Sequence, residues 1–130
     1  MTTRTVSSSS QLVSALASAS GGDVILLEAG SYGSIRIDRD YGSTVEIRAK
    51  SEETATFTNV EIPGAHVHLD GVKINGSLVS YGSDNVTITD SRIVNWVSFR
   101  NASDIVFDGN DVGGGSADHG LFLEEVARFK

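Results

Sequence analysis

The sequence runs to 130 residues with 10 basic against 17 acidic side chains, a formal charge of −7 at pH 7; that length suits one domain with a single modest core. The cations Arg36, Arg48, Lys73, Arg92 and Arg100 are scattered along the chain, so no basic cluster exists to hold phosphates and nucleic acid is excluded as a partner. The absence of cysteine removes disulfides, thiolate nucleophiles and zinc–thiolate sites.

In chain order, residues 1–22 form an N-terminal segment with a short capping helix. The opening Met1-Thr-Thr-Arg-Thr-Val lacks the basic and apolar regions of a signal peptide. Ser9 or Ser10 stands as N-cap before Gln-Leu-Val-Ser-Ala-Leu-Ala, which sets Leu12, Val13, Leu16 and Ala17 on one helical face. Gly21-Gly22 then ends the helix. Such a helix would cover the open end of whatever follows.

Residues 23–130 read as the coils of a solenoid. With 14 glycines, one proline and short alternating β-branched bursts, many short strands and tight turns are expected. Three segments align without gaps: His66-Val-His-Leu-Asp-Gly-Val-Lys-Ile74, Asn85-Val-Thr-Ile-Thr-Asp-Ser-Arg-Ile93 and Asp104-Ile-Val-Phe-Asp-Gly-Asn-Asp-Val112. The same apolar anchor recurs at Val24, Val45, Val67, Val86, Ile105 and Ala127, with spacings of 21, 22, 19, 19 and 22 residues. Alternation puts these residues inward, with Leu26, Ile47, Leu69, Ile88 and Phe107 beside them. A strand at constant phase with a period near 20 marks stacked coils. The coil after residue 85 divides into three strands, Val86–Ile88, Arg92–Val94 and Trp96–Arg100. The expected architecture is therefore all-β: a right-handed parallel β-helix of about five to six coils. Gly71, Asp90 and Gly109 mark its recurrent left-handed turn. The chain reaches Lys130 inside a strand, so the β-helix is expected to be truncated at its C-terminal end.

The opening Gln11-Leu-Val-Ser-Ala-Leu through Gly22-Asp-Val-Ile-Leu-Leu-Glu-Ala-Gly-Ser-Tyr32 resembles that of the pectate-lyase-like superfamily of right-handed parallel β-helices. Polysaccharide lyases and mannuronan epimerase-like proteins share it. The later repeats resemble the superfamily's coil, and the resemblance covers nearly the whole chain. It implies an acidic polysaccharide partner, an extracellular location and a carbohydrate-active parent protein. In the lyase branch it further implies proton abstraction beside a uronate carboxylate, with Lys or Arg as base and Ca²⁺ as a possible cofactor. No other cofactor is evident. No motif here matches the positions of that basic set, so the chain alone is expected to be catalytically incomplete. The alternative is a non-catalytic β-helical scaffold: self-assembling, glycan-binding or adhesin-like.

If the third strand of each coil lines the substrate groove, as the resemblance implies, its outward positions include Tyr81, Trp96, Ser98, Arg100, Phe122 and Glu124. Tyr81 and Trp96 could stack on sugar rings and Arg100 could pair with a uronate, with Glu124 beside it. The plainer reading pairs Arg100 with Glu124. Asp118-His119, in the loop Gly113–Gly120, could serve as a base and its orienting partner; an exposed turn is the plainer account. His66 and His68 share the outward side of a strand but lack good ligands in neighbouring coils, so no metal is assigned. The apolar residues Leu121, Leu123, Ala127 and Phe129 of the last coil are expected to drive self-association into a homodimer.

Overall fold

The computed structural model describes residues 2–51, 54–112 and 120–130. The chain enters through β1 (Thr3–Val6) and α1 (Ser9–Ser18). The first coil comprises β2 (Val24–Leu27), β3 (Gly30–Ser31) and β4 (Ile35–Arg36). The second comprises β5 (Asp40–Ala49), β6 (Ala55–Phe57) and β7 (Val60–Ile62), and the third β8 (Ala65–Asp70), β9 (Lys73–Ile74) and β10 (Leu78–Tyr81). Then come β11 (Asp84–Thr89), β12 (Arg92–Ile93), the long β13 (Trp96–Asp108), β14 (Asp111–Val112) and β15 (Gly120–Phe129). Every pairing is parallel, and each strand meets its counterpart one coil away. The fold is thus a parallel β-solenoid with three strands per coil. β13 and β15 each serve as the third strand of one coil and run on into the first strand of the next.

Register explains the stacking of like on like. Val45, Val67, Val86 and Ile105 face one another in sequence, as do Ile47, Leu69, Ile88 and Phe107. All but Phe107 are completely buried. Alternation along each strand sends His68 and Thr87 to the outer face. A second inner column runs Phe57, Ile74, Ile93 and Val112, and a third Val60, Leu78 and Val97. Ser80 interrupts the column between Ile62 and Phe99; its buried hydroxyl lies 2.8 Å from the Ile62 carbonyl and 2.6 Å from Ser83 Oγ.

The expected phase fails at both ends of the array. Val24 and Leu26 face outward, whereas Ile25 and Leu27 are buried, with Ile25 opposite Ile47. The run Val24-Ile-Leu-Leu27 contains no polar residue to choose a face, so alternation alone could not set it. In the last coil Phe129, not Ala127, stands opposite Ile105. In the second coil an irregularity between Asp40 and Val45 accommodates its extra residues.

The N-terminal helix also begins earlier than its sequence indicates. Ser8 is the N-cap, its hydroxyl accepting from Gln11 N at 3.3 Å, while Gln11 Oε1 accepts from Ser7 N at 2.8 Å. Leu12, Ala15 and Leu16 are the buried face; Val13 is 57% exposed and Ala17 is exposed as well. The segment 1–22 does more than carry a helix, because β1 joins the first-strand sheet beside β2.

Corners use left-handed backbone as the sequence anticipates at Gly71, Asp90 and Gly109, whose φ values are 71°, 49° and 70°. A further column, His66, Asn85, Asp104 and Arg128, is left-handed although none is glycine. Asn and Asp tolerate this conformation best.

Candidate functional site

The outward face of the third-strand sheet places the candidate residues. Alternation buries Leu78 and Ser80 and turns Val79 and Tyr81 outward; in β13 it buries Val97 and Phe99 and turns Trp96, Ser98 and Arg100 outward. Pairing then sets Tyr81, Arg100 and Glu124 in one row and Arg36, Glu61, Val79 and Ser98 in the row beside it. The face crosses five strands, roughly 20 Å at the usual strand spacing.

Its polar groups engage one another. Arg36 Nε lies 3.7 Å from Glu61 Oε1, and the Tyr81 hydroxyl donates diagonally to the same carboxylate oxygen. That hydrogen bond, followed by desolvation, raises the Tyr81 phenol above its ordinary pKa, so it stays a protonated donor. Arg100 Nε lies 3.3 Å from Glu124 Oε2, with 57% and 64% of the two side chains exposed. Of the two readings of Arg100, the ion pair with Glu124 is what the structure contains. Between the two clusters Val79, Tyr81, Arg100 and Asn101 line a cleft of about 400 Å³. An apolar floor, a phenol and a guanidinium are the groups that recognise the faces, hydroxyls and carboxylates of acidic sugars. Trp96 is half-buried on the same face, opposite Gly120, and is not among the residues lining the cleft.

Sequence reasoning missed Arg36, Glu61, Val79 and Asn101. The signal was available: Val60-Glu-Ile62 has the inward–outward–inward pattern of Leu78-Val-Ser80, but without a turn signature its phase within the coil was not fixed. Asp118 and His119 lie outside the described residues. Leu123 is 48% exposed, whereas Phe129 is half-buried and packs its ring 6.0 Å from that of Phe99. Leu121 and Ala127 fall in β15, opposite Val97 and Ser103.

The first-strand face carries a different network. His66 Nδ1 is 2.9 Å from Asp40 Oδ1, and Asn85 Nδ2 is 3.3 Å from His66 Nε2. The Gly42 amide, then His66, lower the Asp40 pKa. His68 Nε2 meets Thr89 Oγ1 at 2.8 Å, and that hydroxyl donates to Asp70 at 2.7 Å. Each imidazole is therefore engaged across coils. A hollow of about 470 Å³ adjoins this face, lined by Asn85, Thr87, Asp104, Val106 and Arg128 among others. Its guanidinium is held by Asp104 through two bonds, of 2.5 and 2.9 Å. Among the described residues no group of three His, Asp or Glu side chains stands close enough to hold a metal. They do not offer the carboxylate cluster that calcium takes, and no step is assigned to that ion. No described helix is long and apolar enough to cross a membrane.

No protein-family model matches the chain, and no curated protein matches its sequence. Solved structures do. An alginate lyase from Paenibacillus sp. strain FPU-7 superposes with a TM-score of 0.75 at 21% identity, over 84% of this chain and 44% of that one. A family PL6 polysaccharide lyase from Pseudopedobacter saltans gives a TM-score of 0.60 at 15% identity, over 96% of this chain and 41% of that one. The chain spans less than half the length of either enzyme. At these identities the likeness shows the fold alone, a parallel β-helix.

Proposed function

We propose that this polysaccharide-lyase-like β-helix binds an acidic polysaccharide along its third-strand face, as one portion of a carbohydrate-active protein, and is not catalytically complete by itself. The observation that carries the reading is the cleft between Tyr81 and Arg100, which sets a protonated phenol and a guanidinium over the apolar floor of Val79. Stacked coils repeat at about 4.8 Å, close to the length of one sugar in an extended chain, so successive sugars can meet successive strands. The names of the similar structures, an alginate lyase and a PL6 polysaccharide lyase, support uronate polymers as the first ligands to test.

Catalysis would need a base beside the uronate α-proton. Arg100 is engaged with Glu124 and Arg36 lies beside Glu61, which favours the second reading, a glycan-binding module without turnover. Neither reading gives turnover by this chain, and one assay tests that: alginate and other polyuronates with the 130-residue chain, with and without Ca²⁺, followed by ultraviolet absorbance of the unsaturated product. The expected result is binding without product. Sustained product formation would contradict the incomplete-enzyme reading. In a parallel titration with an alginate oligosaccharide, Tyr81→Ala and Arg100→Ala are each expected to weaken affinity about tenfold, the first through lost ring stacking and the second through the loss of one hydrogen bond to a charged group.

A further inference from the structure

The chain contains two kinds of arginine–carboxylate pair across adjacent coils. In the pair on the first-strand face, both Asp104 oxygens accept from Arg128, from Nε at 2.5 Å and Nη2 at 2.9 Å. This is a fork-to-fork arrangement that fills the guanidinium's binding edge. The pair at the Tyr81 cleft differs. Arg100 approaches Glu124 through Nε at 3.3 Å, and both side chains are more than half exposed. An exposed, one-sided pair holds its partners weakly. Arg100 lines the cleft, and Glu124 does not.

We infer that Glu124 is an internal placeholder: its carboxylate occupies the Arg100 guanidinium that a ligand's carboxylate takes over when an acidic saccharide enters the cleft. The inference rests on the third-strand face being a saccharide-binding surface and adds the residue that sets its selectivity. Register makes the competition direct, because Glu124 stands opposite Arg100 on the next strand, which keeps its Cα beside the guanidinium's strand position. Its side chain can swing aside, being exposed. A ligand carboxylate that grips the guanidinium through Nε and a terminal nitrogen together does so only by displacing that side chain, and then remains near its charge. A neutral sugar has no carboxylate to exchange and stacks on Tyr81 without disturbing the pair. Glu124 therefore raises the threshold for acidic polymers, admitting those that also gain from the Val79–Tyr81 floor, while leaving neutral ones unaffected.

The test is calorimetric titration of one alginate oligosaccharide and one neutral β-1,4-linked oligosaccharide of equal length into the wild type, Glu124→Gln, Arg100→Ala and the double variant. Glu124→Gln keeps the shape and removes the charge. It is expected to tighten alginate binding about two- to fivefold, the range of an exposed ion pair, with no change for the neutral ligand. In the Arg100→Ala background the same substitution should have no more than a marginal effect, because nothing is left to compete for. Wild-type binding with no gain on Glu124→Gln would overturn the placeholder and leave the binding face standing. An equal gain for the neutral ligand would overturn it too, by showing a packing effect. No alginate binding by any of the four would remove the reading of the face, and the placeholder with it.

Discussion

Ser91 shows how a single hydroxyl secures neighbouring coils. Its Oγ accepts from Val72 N at 3.2 Å and donates to the Thr89 carbonyl at 2.9 Å, while its own amide donates to Asn110 Oδ1 at 2.9 Å. Ser91→Ala leaves a buried amide without a partner and should cost about 1–3 kcal/mol, read as a lower denaturation midpoint at unchanged slope. Asp23 does the same work at the first coil, accepting from Ser20 N at 3.0 Å and Thr2 N at 2.9 Å. Those two bonds hold its pKa below the ordinary carboxylate value of 3.8. A carboxyl depressed on folding contributes stability above its unfolded pKa and loses it as pH falls through the folded one. Acid unfolding monitored by circular dichroism should therefore show a destabilising step below pH of about 4, weaker in Asp23→Asn. A step of equal size in both proteins would exclude Asp23 as its source. At this scale the sequence was partly legible. The Gly71–Asp90–Gly109 turn could be read because glycine and aspartate favour left-handed backbone. His66 and Arg128 could not, because nothing in those residue types signals the φ values of 62° and 54° they adopt.

Strands were legible where polar residues punctuate them. His66-Val-His-Leu-Asp70 alternates strictly, so only one face can be inward and its register follows. Val24-Ile-Leu-Leu27 does not alternate, and its true phase is set by partners outside the element: Val24 N donates to the Thr2 carbonyl and Glu46 N to the Asp23 carbonyl. The helix shows the same dependence. Val13 looks as apolar as Leu12, but Arg39 Nη1, bonded to the Leu16 and Ala17 carbonyls at 3.1 and 2.6 Å, and Tyr41, bonded to Leu16 at 2.9 Å, fix its rotation. We propose that α1 covers the inner end of the first coil. On that account Leu12→Ala should cost about 2–5 kcal/mol and Val13→Ala, at an exposed position, less than about 0.5 kcal/mol, in parallel urea titrations. Equal costs would mean that the helix contributes little buried area. Close stacking is tested at Gly64, where a Cβ would meet the Arg39 and Ile37 carbonyl oxygens at 2.4 and 2.8 Å. Gly64→Ala must push two coils apart and is expected to be among the most destabilising single substitutions.

The repeat made the whole molecule readable, since a period near 20 residues in one phase admits few architectures. The functional face was less so. Its rows combine residues from five strands with unequal spacings, and of their members Tyr81, Ser98, Arg100 and Glu124 could be placed from sequence. The last strand, β15, pairs with β13, and Leu123 on it is half exposed. We propose that β15, at the end of the described solenoid and apart from the saccharide face, associates edge-on with a second copy, so light scattering at rising concentration should show a dimer that Leu123→Lys returns to monomer. A monomer throughout would contradict it. The central claim, that the third-strand face is the saccharide-binding surface, is tested most directly by amide chemical-shift mapping with an alginate oligosaccharide. The account predicts saturable shifts centred on Val79, Tyr81, Ser98, Arg100 and Asn101. Shifts centred instead on Thr87, Val106 and the other outward residues of the first-strand face, or none at all, would contradict it.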